Sequence, residues 1–322
     1  MIDHIRKPVE KEFDQYEKLF DEAIKTDQFK LNKVLNYLKT QKGKEIRPIL
    51  VLLSAGLFGK ITEESIKTAA SLEFLHTASL MHDDVVDNTY QRRSGFSVKA
   101  LWNNKTAILV GDYFLSKSAM LSAKVNRREI TSLLAELACD LSVGELMQMS
   151  NESRLIIDEK AYYDVIRKKT AKTFAICTSA GAISAGAQPE IAAHLYQFGE
   201  NLGMIFQIKD DIFDYFDSDL IGKPTSNDLK EGKMTLPLIY ALNNSDKKDI
   251  KPYLNIIRNR DFSKKNLTSI NVFVKEAGGV KYAEKCMEEF KLLALEELTG
   301  FPDSPFKSAM IYCVDYFMLR KY

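Results

Sequence analysis

Paired cysteines are missing from this chain. Its four, Cys139, Cys177, Cys286 and Cys313, are scattered with no short spacing between any two. That argues against a zinc site or a disulfide framework and fits a reduced, cytoplasmic setting. A dominant charge is missing as well. Forty-five Lys and Arg oppose 44 Asp and Glu, so a formal net charge of +1 gives no global field for nucleic acid or an anionic membrane. No apolar run approaches the ~20 residues of a spanning helix. The opening residues Met1 to Pro8 are too charged to begin a signal peptide. The expectation is a soluble protein with no membrane span, which an apolar ligand could still bring into transient contact with a membrane. Strand signals are also absent, because Val/Ile-rich pieces such as Ile108-Leu109-Val110 sit inside helix-period windows. No low-complexity linker divides the 322 residues, and 45% of them are hydrophobic, enough for a sizeable core. The chain is therefore expected to be all-α, one domain over 1–322.

What the chain does have is carboxylate at one repeated spacing. Residues 71–87 read as an uninterrupted helix, with apolar Leu72, Leu75, Leu80 and Val86 at three- and four-residue steps and no Gly or Pro. At ~100° per residue, Asp83 and Asp87 share a face, with Asp84 beside it. Three carboxylates so close repel one another and cost stability, so something positive should compensate. The same Asp-Asp-x-x-Asp spacing returns at Asp210, Asp211 and Asp214, inside a second apolar helix. One such cluster reads equally well as a solvated acidic face; two of identical spacing do not. Paired hard oxygens suit Mg2+, which takes one or two protein carboxylates and leaves its other positions for water and phosphate.

Cationic segments lie between and around these motifs. Gly43-Lys44-Glu45-Ile46-Arg47-Pro48 sets a Gly and two cations at a helix start, where backbone N–H groups and the positive helix end favour an anion. Arg92-Arg93-Ser94-Gly95 reads as a loop with two guanidiniums suited to phosphate oxygens. Arg167, Lys168, Lys169 and Lys172 crowd the entry to an Ala-rich apolar helix that begins at Asp158 and runs to Ile183. Residues 222–237 are turn-rich and basic, with Lys223 and Lys233 placed to close over phosphates. Taken singly, each has an ordinary surface reading. Helical periodicity also marks 9–40, 49–60, 62–87 with Thr62 as N-cap, 105–125, 128–150, 190–216 and five segments from 238 to 320.

In order along the chain these elements resemble the trans-isoprenyl diphosphate synthases, and among them the polyprenyl diphosphate synthases. The match runs through Gly-Lys-Glu-Ile-Arg-Pro at 43–48, His76, Asp83 to Asp87, Arg92-Arg93, Gly111-Asp112, Lys169-Thr170, Phe206-Gln207, Asp210 to Asp214 and Glu231-Gly232-Lys233. The resemblance implies a single large helical bundle, the isoprenoid synthase type I fold, around a central elongation cavity. It implies about three Mg2+ ions with substrate bound, held by Asp83, Asp84 and Asp87 and by Asp210 with Asp211 and Asp214 supporting. It implies an allylic diphosphate bound by the metals with Arg92, Lys169, Lys233 and Lys223, and isopentenyl diphosphate bound by Lys44, Arg47, His76 and Arg93. Thr170 and Gln207 would turn neutral oxygen dipoles toward the allylic cation. His82, out of phase with the metal face, is left structural. A homodimer is implied by the same analogy. Ser226 and Asn103-Asn104 depart from the family's usual glycine-containing turns.

Chain length follows one step further. Ala78 and Ser79 precede Asp83 by five and four residues, one turn deeper, where short-chain relatives carry bulky side chains. Small residues there leave the path open past about C15, so the expected product is about C35–C50, with C40, octaprenyl, favoured. Two other readings compete. A non-catalytic partner subunit of a heteromeric synthase usually loses an aspartate cluster, and both are whole here. A terpene cyclase would have no use for Lys44, Arg47 and Arg93.

Overall fold

In the computed structural model, residues 2–41, 43–92, 95–216 and 227–320 are described. Helices α1 (Ile2–Arg6), α2 (Glu10–Ala23), α3 (Phe29–Thr40), α4 (Ile46–Phe58) and α5 (Glu63–Val86) come first. A two-residue hairpin, β1 (Gln91–Arg92) and β2 (Gly95–Phe96), pairs antiparallel with Gln91 opposite Phe96. Then follow α6 (Val98–Leu101), α7 (Asn104–Ser122), α8 (Arg128–Arg154) and α9 (Glu159–Ile166). A π-turn, Arg167–Ala171, leads into α10 (Lys172–Ser184) and α11 (Pro189–Phe213). The last are α12 (Asn227–Glu231), α13 (Leu236–Asn243), α14 (Lys247–Arg258), α15 (Lys264–Glu276), α16 (Gly279–Glu297) and α17 (Pro305–Leu319).

The all-α expectation holds. The small departures have local causes. The hairpin is too short to leave a period-2 pattern, and α1 and α6 span one turn or little more. The periodic stretch 9–40 is two helices, α2 and α3, parted at 24–28. From Glu159, capped by Asp158, to Ser184 the path is helical throughout but widens to π geometry at the cationic cluster.

The chain gathers into two compact units. One comprises Met1–Cys139, Phe174–Gly199 and Glu297–Cys313; the other comprises Asp140–Thr173, Glu200–Glu296 and Val314–Tyr322. In the first, α5 packs on α7, α4 and α2. Residues Pro48 to Ala55 of α4 are all buried, and α5 buries residues all around its N-terminal half, as a central helix must. Phe20, Phe74 and Phe114 stack in series, with ring centroids 4.5 and 5.9 Å apart. The core of the second unit joins Tyr215 to Leu238, Leu242, Ile257, Ile270 and Val274. Tyr253 stacks on Phe273 and Tyr240 on Tyr282, each pair at 4.1 Å.

Candidate active site

Both aspartate motifs fall at helix C-termini. Thr62 starts α5 with a reciprocal cap: its side chain accepts the Ser65 N–H at 3.3 Å, and Ser65 Oγ accepts the Thr62 N–H at 3.2 Å. The helix then runs to Val86 with Asp87 as its C-cap, so Asp83, Asp84 and Asp87 occupy the last turn. Asp210 and Asp211 lie in the last turn of α11, and Asp214 just beyond. Carboxylates are unfavourable at this end, where the helix dipole is negative and exposed carbonyls attract cations. Local folding energetics thus favour a positive ligand at both places.

Within each motif the side chains divide the same way. Asp83, Asp87, Asp210 and Asp214 are half-buried, whereas the second aspartates, Asp84 and Asp211, are 1% and 3% exposed. Arg92 Nε donates to Asp84 Oδ1 at 2.6 Å, and Asp84 Oδ2 is buried with no hydrogen-bond partner among the described residues. Burial pushes the Asp84 carboxyl up from its ordinary pKa, against the pull of Arg92. Asp211 accepts from the Tyr162 hydroxyl at 2.7 Å and from Gln207 Nε2 at 2.8 Å. Burial raises its pKa, Asp228 raises it further, and the two hydrogen bonds oppose the rise.

In the second unit a cavity of about 160 Å³ is lined by Gln148, Tyr162, Lys169, Thr170, Gln207 and Lys233, among others. The crowding of four cations seen in the sequence is resolved here. Asp140 accepts from Lys168 at 2.6 Å and from Lys172, and Arg167 Nε donates to Glu200 at 3.0 Å. Burial raises the Asp140 pKa, but the two lysines outweigh it and hold the carboxyl below its ordinary range. Only Lys169 of the four lines the cavity, paired with Glu145 and donating to Gln148 Oε1 at 3.2 Å. Gly144 makes room for this: a Cβ there would lie 3.2 Å from the Lys169 nitrogen and from Lys168 Cβ. Thr170 Oγ1 donates to Gln207 Oε1 at 2.8 Å. Lys233 Nζ pairs with Glu231 at 2.5 Å and lies 4.0 Å from Asp228.

The other expected residues lie in the first unit. Lys44 is exposed just before α4, and Arg47 is in its first turn with the guanidinium 5.2 Å from the Phe174 ring centroid. The left-handed residue at this helix entry is Glu45 (φ 46°) rather than Gly43; its carboxylate accepts from Tyr16 at 3.0 Å and makes no cap hydrogen bond. His76 is half-buried on α5, Ala78 is 2% exposed, and Ser79 donates to the His76 carbonyl at 2.9 Å. His82 packs against Gly111 and lies 3.4 Å from Asp112. Arg93, Lys223 and Ser226 lie outside the described residues.

Five further residues join these groups without having been expected from the sequence: Glu145, Gln148, Tyr162, Asp228 and Arg320. Arg320, from the end of the chain, donates to the Phe206 carbonyl and pairs with Asp210, both at 2.7 Å, over the Phe206 ring. The Asp228 N–H donates to Asp214 Oδ2 at 3.1 Å. Glu145 and Gln148 lie about one turn apart on α8, a spacing that a search for cation partners would have found. The others are recruited from distant segments.

The donor set suits a hard divalent cation. Among the described residues no three His, Cys, Asp or Glu form a ready-made cage. Mg2+ takes one or two oxygens from protein when phosphate supplies its others, and half-buried carboxylates at negative helix ends are donors of that kind.

A predominantly helical fold carrying two such motifs is that of the isoprenoid synthases. The polyprenyl synthetase family profile matches residues 28–272, and the chain belongs to that family. It is a prenyltransferase, a trans-polyprenyl diphosphate synthase. Heptaprenyl diphosphate synthase component 2 of Bacillus subtilis (strain 168) is 32% identical over 313 residues, covering 97% of this chain and 88% of the relative. A polyprenyl synthase from Caulobacter crescentus CB15, solved with calcium and isoprenyl diphosphate, superposes with a TM-score of 0.94 at 27% identity over 100% of this chain and 98% of that one. The geranylgeranyl pyrophosphate synthase of Bacteroides thetaiotaomicron superposes with a TM-score of 0.86 at 39% identity over 99% of each chain.

Proposed function

We propose that the chain is a long-chain, Mg2+-dependent synthase that condenses isopentenyl diphosphate onto farnesyl or geranylgeranyl diphosphate, with a product of about C35–C50 and C40 favoured. The observation that carries the length is the small, buried Ala78 with Ser79 beside it, one turn before Asp83 on α5. Asp83 and Asp87, with Asp84 behind them, and Asp210 with Asp214 are the residues that would hold the metal. Bound there, Mg2+ supplies charge neutralisation for the departing pyrophosphate. Arg92, Lys169, Lys233 and Lys223 hold the same diphosphate and lower the barrier to the allylic cation. Thr170 and Gln207 face that cation with oxygen dipoles, which stabilise it without forming a bond. Lys44, Arg47, His76 and Arg93 hold isopentenyl diphosphate, whose double bond attacks C1 before a proton is lost to pyrophosphate.

The two units act as one catalytic domain in this reading, in the cytoplasm and as a homodimer. Exposed Ile108, Leu109, Leu115 and Met120 on one side of α7 support self-association. No helix among the described residues is long and apolar enough to cross a membrane. A C20 product is the second reading, favoured by the 39% identity to the Bacteroides thetaiotaomicron geranylgeranyl pyrophosphate synthase. A heteromer is the third, favoured by the likeness to a synthase component. One assay separates them: purified protein, Mg2+, farnesyl diphosphate and radiolabelled isopentenyl diphosphate, with product length read by thin-layer chromatography. Products of C35 or longer support the proposal. A product stopping at C20 establishes the second reading, and no turnover by the chain alone supports the third.

A further inference from the structure

Asp211 does not sit as its neighbours in the motif do. It is 3% exposed, and each of its oxygens already accepts a hydrogen bond, Oδ2 from Tyr162 at 2.7 Å and Oδ1 from Gln207 at 2.8 Å. Gln207 in turn accepts from Thr170 at 2.8 Å. These bonds link α9, the π-turn and α11 in one line ending at Thr170 and Gln207; all four residues, with Lys169, line the cavity.

The direction of the line follows from the chemistry of its members. Gln207 Nε2 donates to Asp211 Oδ1, so the end of the amide facing Asp211 is the NH2. The amide oxygen is then turned to Thr170. The Thr170 hydroxyl has one proton, and it is committed to that oxygen. What remains for the cavity is oxygen lone pairs. Without Asp211 the amide has two nearly equal orientations. In the flipped one an N–H faces Thr170, the hydroxyl proton is released, and it can point at whatever occupies the cavity. A carbocation is stabilised by the first arrangement and destabilised by the second. Tyr162 is the second donor to the Asp211 carboxylate, at 2.7 Å. Its hydroxyl also fixes the carboxylate rotamer, so that Oδ1 stays toward Gln207.

We infer that Tyr162 and Asp211 are positioning residues for prenyl transfer, locking the Gln207 amide so that Thr170 and Gln207 present oxygen rather than hydrogen to the allylic cation. The inference rests on the prenyltransferase reading of this site. It also ranks Asp211 behind the other metal ligands expected from the motif, since its carboxylate is 3% exposed and each oxygen already accepts from a protein donor. Asp210 and Asp214 keep that role.

The test uses the full chain and the variants Tyr162→Phe, Asp211→Asn, Asp210→Asn, Gln207→Met and the double variant Tyr162→Phe/Gln207→Met. Steady-state kinetics with farnesyl and isopentenyl diphosphates are combined with Mn2+ binding, followed by electron paramagnetic resonance in the presence of inorganic pyrophosphate. Melting temperatures show that each variant folds. Tyr162→Phe should lower kcat about 10-fold and Asp211→Asn about 100-fold, with both KM values within about 3-fold of the parent. Mn2+ affinity should survive in Asp211→Asn and fall in Asp210→Asn. The double variant should be no slower than Gln207→Met alone, because both substitutions break one line. Parental kcat in Tyr162→Phe, independent effects in the double variant, or loss of Mn2+ binding in Asp211→Asn would each overturn the inference. A parent protein that makes no prenyl product would instead overturn the function itself.

Discussion

Ala78 has almost no freedom to change. It is 2% exposed on α5, five residues before Asp83, in a helix buried on most sides. A phenylalanine there has to displace either neighbouring side chains or the growing hydrocarbon. If the tail passes this turn, the ring blocks it. Ala78→Phe should therefore shorten the product to about C15–C20 while leaving the first condensation intact, at an overpacking cost of about 1–3 kcal/mol. Chromatography of the dephosphorylated products, with a melting curve alongside, checks both parts. An unchanged product would mean that the tail runs elsewhere. Asp84 shows the opposite kind of constraint. Its position in the motif marks it as a third ligand, yet its environment is a single guanidinium hydrogen bond and a buried second oxygen. Phase along a helix was readable from spacing; the inward turn of Asp84 and Asp211 was not, because it depends on Arg92 and Tyr162 arriving from other segments.

At the scale of elements, the π-turn at Arg167–Ala171 matters most. It leaves no compositional trace: the sequence shows only cations entering an apolar helix, and the widening comes from one shifted hydrogen-bond register. Its place is set by α11. Gly203 lets the backbone of Ala171 come so close that a Cβ would lie 2.5 Å from Ala171 Cα and 3.1 Å from Ala171 Cβ. Gly203→Ala should push the turn away, at about 1–3 kcal/mol, and move Thr170 off Gln207. Because such displacements act strongly on reacting geometry, kcat should fall by about 10-fold or more even where the protein remains folded. Kinetics at a temperature well below the melting point separate the two effects. Long helices with strong periodicity, their caps at Thr62 and Asp158, and both acidic motifs were legible in the sequence. The hairpin carrying Arg92 was not, since two residues per strand cannot show a period.

For the whole molecule, charge and exposed apolar area are the two quantities left over from the fold. The α7 stripe includes Leu109 at 67% and Met120 at 57% exposure. If it mediates the proposed homodimer, Leu109→Glu/Met120→Glu should give a monomer by light scattering, with secondary structure retained by circular dichroism. A parental mass for this variant would place self-association on another surface.

Buried carboxylate in the second unit contributes to the pH response of the metal-free protein, in the same direction as Asp84 in the first. Burial and then Asp214 push the Asp228 carboxyl from its ordinary 3.8 up to about 7, with Lys233 opposing. Asp211 is shifted in the same direction, first by burial and then by Asp228. A raised folded-state pKa means that the native protein keeps a proton the unfolded chain has already lost. Stability from this source is complete below the ordinary value and is lost as pH rises through about 7. Asp140 is shifted the other way, but its effect lies below its ordinary 3.8, outside the range from pH 5 to 8. In EDTA the melting temperature should therefore fall between pH 5 and 8, by roughly 2–4 °C for each kcal/mol lost. Asp228→Asn should flatten that slope. Mg2+ with inorganic pyrophosphate should stabilise the protein more at pH 8 than at pH 5, because the cation binds the ionised carboxylates and competes with their protons. Differential scanning fluorimetry across the range measures all three. A slope that rises with pH in EDTA, or is unaffected by Asp228→Asn, would show that these carboxylates are already compensated by protein cations and that metal is not needed to balance them.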